Sequence, residues 1–178
     1  MLLVDEAWGD YLPDSESAIH LVGRRPNVIV VRSFSKALGL AGERVGYMFM
    51  SEPLARYYRQ VDIPFEPGIV GATLARAVLD EPGLLDEIRQ EATLAKETIA
   101  RAFAAAGLNV LPTHPNVAIM SVEAPSRDLV EALARQDVRV LPGSSFARTH
   151  PRWDDTFCRV RIVERELVEP LCRRIAAL

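Results

Sequence analysis

Apolar residues form short runs early in the chain and helical spacings further along. Residues 2–4 and 28–31 are continuous runs rich in Val, Leu and Ile, the pattern of strands buried on both faces. Gly46–Met50 predicts a third strand. Residues 54–61 follow a helical pattern opened by Ser51, with Pro53 in the first turn. Pro64 and Pro67-Gly68 interrupt the chain. A helix is then expected over 69–80, where Ile69, Leu74, Val78 and Leu79 stand among alanines, with a stop at Pro82-Gly83. From 84 to 106 the apolar positions Leu84, Leu85, Ile88, Ile99 and Phe103, with intervening alanines, share one face of a long amphipathic helix, and Gly107 takes the C′ position. Beyond it, strands are expected at 109–111, 117–122, 138–141 and 157–163. Helices are expected at 126–136, capped by Ser126, and at 165–177.

That order predicts an α/β fold in two parts. Residues 1–82 read as a piece of a mostly parallel α/β sheet, and residues 83–178 as a smaller α+β unit. The chain also opens directly on an apolar run, without a cap or turn before it, as a chain entering in the middle of a fold would.

Composition narrows the function classes. The 178 residues are 49 % hydrophobic and 25 % charged, the balance of an ordinary globular protein. A net charge of −3 without a basic tract argues against a dedicated nucleic-acid binder. No apolar run reaches the ~18–20 residues of a membrane span. Cys158 and Cys172 cannot build a disulfide framework and no signal peptide is recognisable, so a reducing cytoplasm is the expected location. His20, His114 and His150 lack metal-ligand spacing, and no metal site is expected.

The densest chemistry lies in residues 32–47. A strand ends, Ser33 and Ser35 follow one residue apart, Lys36 comes next, and Arg44 lies eight residues on among glycines. Hydroxyls, backbone N–H groups and a guanidinium are what a phosphate monoester needs. A lysine beside an anion site can lose its proton and attack a carbonyl. Together they suit a cofactor carrying both an aldehyde and a phosphate, which is pyridoxal phosphate. A nucleotide loop fails on order, because its glycines must precede the lysine. A surface turn with a solvated lysine remains the plain alternative. Asp5 ends another strand, where open α/β sheets place ligand-binding groups, and an acid there could keep a pyridine nitrogen protonated. Its plain alternative is a cap or a structural hydrogen bond.

Val4-Asp5-Glu6-Ala7-Trp8, the run from Ser33-Phe34-Ser35-Lys36 through Arg44 to Gly46-Tyr47, residues 138–146 and Phe157-Cys158-Arg159-Val160-Arg161 together resemble the class I/II aminotransferases of the aspartate aminotransferase superfamily, fold type I. Within them, the chain is most similar to the histidinol-phosphate aminotransferase and threonine-phosphate decarboxylase branch, and it resembles the C-terminal portion only. The resemblance implies a large-domain remnant at 1–82, a small domain at 83–178, pyridoxal phosphate as cofactor, an amino acid and a 2-oxo acid as substrates, and a homodimer. It assigns Asp5 to the pyridine nitrogen and Lys36 to a Schiff base and proton shuttle. Ser33, Ser35 and Arg44 fall to the phosphate, and Arg159 to the substrate carboxylate. Trp8 stands where the family usually has Tyr; its indole N–H can donate a hydrogen bond but cannot accept one. Pro64-Phe65-Glu66-Pro67-Gly68 departs from the branch's Asn-containing segment, and Asn116 falls near the family's Asn-Phe start of a small-domain strand, with Val117 in place of Phe. Arg161 shares a strand face with Arg159. It either meets a second anionic group on the substrate or pairs with Glu164, Glu166 or another rim carboxylate. The alternative activity is decarboxylation of an amino acid or its phosphate, and the alternative of another class is a truncated module without catalysis.

Overall fold

The runs and spacings become elements in the expected order, each half of the chain building its own sheet. The computed structural model describes residues 1–63, 66–124, 126, 128–146 and 154–178. It divides into two compact units, Met1–Ile88 and Arg89–Leu178.

The first unit holds β1 (Leu2–Asp5), a one-turn helix α1 (Ile19–Val22), β2 (Val28–Ser33), β3 (Gly46–Met50), α2 (Glu52–Val61) and α3 (Ile69–Leu79). The strands order as β1-β2-β3, with β1 parallel to β2 and β3 antiparallel to β2. The sheet is therefore mixed, and its antiparallel member is β3. The 12 residues between β2 and β3 hold no crossover helix, and a chain that turns straight back pairs antiparallel. The expectation of strands buried on both faces fails. In β2 buried and half-buried residues alternate, and in β1 Leu2 and Leu3 are exposed, because β1 has β2 as its single strand neighbour among the described residues. The core of this unit is Phe34, Leu38, Val45 and Ala75, with Val78, Leu84, Leu85 and Ile88 packed on it. Ser51 is the N-cap residue of α2 as expected, yet its hydroxyl donates to the Pro26 carbonyl instead of capping the helix. Pro64 and Phe65, in the departing Pro-rich segment, lie outside the described residues.

α4 (Leu84–Ala105) leads into the second unit, made of β4 (Asn109–Leu111), β5 (Ile119–Glu123), α5 (Leu129–Arg135), β6 (Leu141–Pro142), β7 (Phe157–Arg161) and α6 (Arg165–Ile175). All strand pairs are antiparallel, in the order β4-β5-β7-β6. Ile99 and Phe103 of α4, Leu129 and Leu133 of α5, Met120, Val122 and Cys158 of the sheet, and Ile175 of α6 are fully buried. Gly107 terminates α4 as expected. Its φ of 77° lets its N–H reach Ala104 O and the Leu108 N–H reach Phe103 O, which satisfies two orphan carbonyls at once. Two details correct the sequence reading. The cap of α5 is Asp128, whose carboxylate accepts the Glu131 N–H at 2.8 Å, and not Ser126. The strand expected at 138–141 forms ladder bonds at Leu141–Pro142 alone; the Val138 N–H still donates back to Leu133 O at 2.9 Å, past the left-handed Asp137. Asp155 accepts the Leu129 and Val130 N–H groups on its carbonyl and the Ser144 N–H on its carboxylate.

Candidate functional site

Parallel pairing of β1 with β2 brings the sequence candidates of the first unit to one sheet end. The register sets Asp5 opposite Val31, so Ser33 and Lys36 follow within a few residues of the same edge. Asp5 Oδ1 accepts the Ala7 N–H at 2.8 Å, a turn that sends the chain away from the strand while the side chain stays exposed. Ser33 Oγ accepts the Ser35 N–H at 3.1 Å, leaving the Ser33 hydroxyl hydrogen to donate elsewhere. Lys36 is exposed, and its ammonium lies 5.3 Å from the centroid of the Trp8 ring. Trp8 is in turn stacked on Tyr11, with ring centroids 5.8 Å apart.

Arg44 closes the loop after Lys36. Its backbone is left-handed, φ 55° and ψ 39°, and one guanidinium nitrogen donates to Ala41 O at 2.8 Å. A side-chain-bearing residue held there costs about 1–2 kcal/mol, and such strain clusters at functional sites. A concavity of about 570 Å³ runs from Arg44–Met48 to α2 and takes in Arg44 but not Asp5, Ser33, Ser35 or Lys36. Lys36 is exposed, and Ser33 and Ser35 are half-buried.

The sequence reading missed the charges directly beneath this edge. Arg32, one residue before Ser33, donates through Nε and Nη2 to Glu6 Oε2, 3.1 Å each, and through Nη1 to Asp10 Oδ1 at 3.1 Å. Glu6 also accepts the Ser17 hydroxyl at 2.8 Å and the Ala18 N–H at 2.5 Å. Burial pushes the Glu6 carboxyl up, but these bonds outweigh it and hold its pKa below the ordinary value. Burial likewise opposes the charge on Arg32, and the Glu6 bond and the nearby Asp10 more than restore it. The Tyr47 hydroxyl reaches Asp10 Oδ1 at 3.4 Å, and burial together with the Asp10 charge raises its pKa. The signal was available: Glu6 follows Asp5 and Arg32 precedes Ser33, so the parallel register makes them the next rung.

In the second unit, Arg159 is half-buried on β7, opposite Ser121 in register, with its guanidinium 5.3 Å from the Phe146 ring centroid. Arg161 is exposed and pairs with Glu164 at 3.1 Å, the second of its two expected settings. Val160, between the arginines, and Cys158, just before them, are buried, as strand alternation requires. Lys96, mid-way along α4, is also buried; its ammonium donates to His114 O at 2.6 Å and Val117 O at 3.0 Å. Among the described residues no group of three metal-ligating side chains occurs, and no helix is long and apolar enough to cross a membrane.

Residues 1–175 match the family model of aminotransferase class I and II. The chain belongs to the class I and II aminotransferases. This aminotransferase chain is 34 % identical over 149 residues to a histidinol-phosphate aminotransferase of Nitratidesulfovibrio vulgaris, an alignment covering 82 % of the chain and 40 % of the relative. Its fold matches that of histidinol-phosphate aminotransferase from Sinorhizobium meliloti, solved in complex with pyridoxal-5'-phosphate, with a TM-score of 0.76 at 23 % identity over 99 % of the chain and 48 % of that structure. It also matches L-threonine-O-3-phosphate decarboxylase from Porphyromonas gingivalis, with a TM-score of 0.78 at 16 % identity over 98 % and 54 %. The aminotransferase chain therefore spans about half the length of the proteins it is similar to, and its α/β fold is that of fold type I.

Proposed function

We infer that this chain is the catalytic-lysine half of a pyridoxal-phosphate-dependent aminotransferase, which moves an amino group between an amino compound and a 2-oxo acid. The observation that carries the reading is the gathering of Asp5, Ser33, Ser35 and Lys36 at the ends of two parallel-paired strands, with Arg44 on the loop that follows. The donor set suits the cofactor. Two hydroxyls and a guanidinium match a phosphate, an amine matches an aldehyde, and an exposed carboxylate matches a protonated ring nitrogen.

When bound, pyridoxal phosphate supplies an electron sink for the carbon from which a proton leaves. In this reading Lys36 holds the cofactor covalently and later carries that proton as an amine. Asp5 keeps the ring nitrogen charged, and Trp8 flanks the site. Ser33, Ser35 and Arg44 bind the phosphate and so fix the ring against rotation. Arg159 is assigned the substrate carboxylate, because a half-buried guanidinium recognises it with paired donors. Residues 1–82 are read as belonging to the cofactor domain and 83–178 to the small domain of a cytoplasmic homodimer. The named relatives make histidinol phosphate the first amino donor to test.

The test is the visible spectrum of the full-length gene product with pyridoxal phosphate, recorded before and after adding histidinol phosphate or amino acids. Loss of the lysine-bound band on adding donor, and its return on adding a 2-oxo acid, is the expected result. Release of carbon dioxide with no requirement for a 2-oxo acid would replace transamination by decarboxylation.

A further inference from the structure

The ion cluster beneath the site has no place in the chemistry just described, yet it joins the two segments that carry that chemistry. Arg32 is 7 % exposed and Asp10 2 %. Backbone pairing carries the first segment only as far as the Glu6 N–H, bonded to Val31 O at 2.8 Å. Past it the Asp5–Trp8 turn leaves β2, and Arg32 is the β2 side chain that follows it. Two of its nitrogens grip Glu6, inside the turn, and a third grips Asp10, in the 3-10 turn Gly9–Tyr11 that comes next. Gly9 makes room for this approach. A Cβ there would lie 2.9 Å from Glu6 Cβ and 3.3 Å from Arg32 Nε.

We propose that Arg32 is a positioning residue, whose guanidinium, forked between Glu6 and Asp10, locks the Asp5–Trp8 turn onto β2 and so sets Asp5 and Trp8 in register with Ser33 and Lys36. A planar fork with donors in fixed directions does this; the point charge of a lysine satisfies one carboxylate at a time. The consequence is separable from stability. Replacing a whole buried ion cluster by neutral groups of similar size is often tolerated by a fold, because the desolvation of the charges disappears along with their attraction. The register of the turn, in contrast, depends on the fork itself.

The experiment uses the full-length gene product in a background where Trp8 is the sole tryptophan. It compares the parent with Arg32→Lys and with the triple variant Arg32→Met/Glu6→Gln/Asp10→Asn. Cooperative unfolding establishes which variants fold, and Arg32→Lys alone decides if the triple variant does not. Iodide quenching of Trp8 reports the turn without cofactor, and pyridoxal phosphate titration reports the site; this second arm rests on the function proposed above. Folded variants are expected to show Trp8 more open to iodide and a cofactor Kd raised about tenfold, or ~1.4 kcal/mol. Unchanged quenching in folded variants overturns the proposal, as does a rise in quenching with an unchanged cofactor Kd. A parent that binds no cofactor, while its variants open Trp8 to iodide, refutes the proposed function and leaves the clamp standing.

Discussion

The Lys36 ammonium sits over the face of the Trp8 indole, 5.3 Å from the ring centroid. The two residues come from different strand ends, one after β1 and one after β2, and the contact links the amine to the turn that carries Asp5. An exposed lysine over an aromatic face is worth about 0.5–1 kcal/mol. Trp8→Ala is therefore expected to weaken pyridoxal phosphate binding by roughly two- to fivefold, with Trp8→Phe, which keeps a ring face, losing less. Equilibrium titration of the three proteins checks it; equal affinities would show that the contact does not prepare the lysine.

Arg44 is held left-handed where glycine would be at ease. Arg44→Gly is expected to raise stability by about 1 kcal/mol while removing the charge-assisted contact proposed above for the cofactor phosphate, worth roughly 1.5–3 kcal/mol. Urea unfolding and cofactor titration on the same samples should move in opposite directions. A variant that loses stability would remove the strain argument.

Lys96 is buried, and burial lowers its pKa from the ordinary lysine value. The folded state then binds fewer protons than the unfolded state between the lowered pKa and 10.5, so Lys96 adds stability as pH rises through that window and withholds it below. Lys96→Met should abolish that rise. It should also cost about 2 kcal/mol or more at neutral pH, because the His114 and Val117 carbonyls lose their donor. Denaturation at several alkaline pH values separates the two effects, and an unchanged pH slope would show that Lys96 does not set it.

Helix α5 offers a simple check on its start. Asp128→Ala should lose about 1 kcal/mol with the cap bond to Glu131, whereas Ser126→Ala should be nearly neutral. The reverse ranking in thermal unfolding would restore Ser126 as the cap.

Most elements were legible because their signals are local: apolar spacing along α4, Gly107 at its end, and the Val-rich run of β2. The candidate residues were legible as a motif because Ser33, Ser35, Lys36 and Arg44 lie within one short segment. What was not legible is non-local. The antiparallel return of β3 depends on the absence of a crossover helix, and the exposure of Leu2 and Leu3 depends on how many strands flank β1. Arg32, Glu6 and Asp10 look like ordinary surface charges until the β1–β2 register sets them together. Asp128 displaced Ser126 because the choice between two neighbouring cap residues is made by where the first helical turn closes.

Lys36 is the residue proposed to bind pyridoxal phosphate covalently. Lys36 and Lys96 are the two lysines of this chain, and Lys96 is buried against two carbonyls. Borohydride reduction of the cofactor-loaded full-length gene product, followed by peptide mass mapping, fixes the cofactor to the amine it has condensed with. The expected result is a pyridoxyl phosphate adduct on the Lys36 peptide that is lost in Lys36→Ala. An adduct on Lys96 or on another amine, with Lys36 unmodified, would contradict the account.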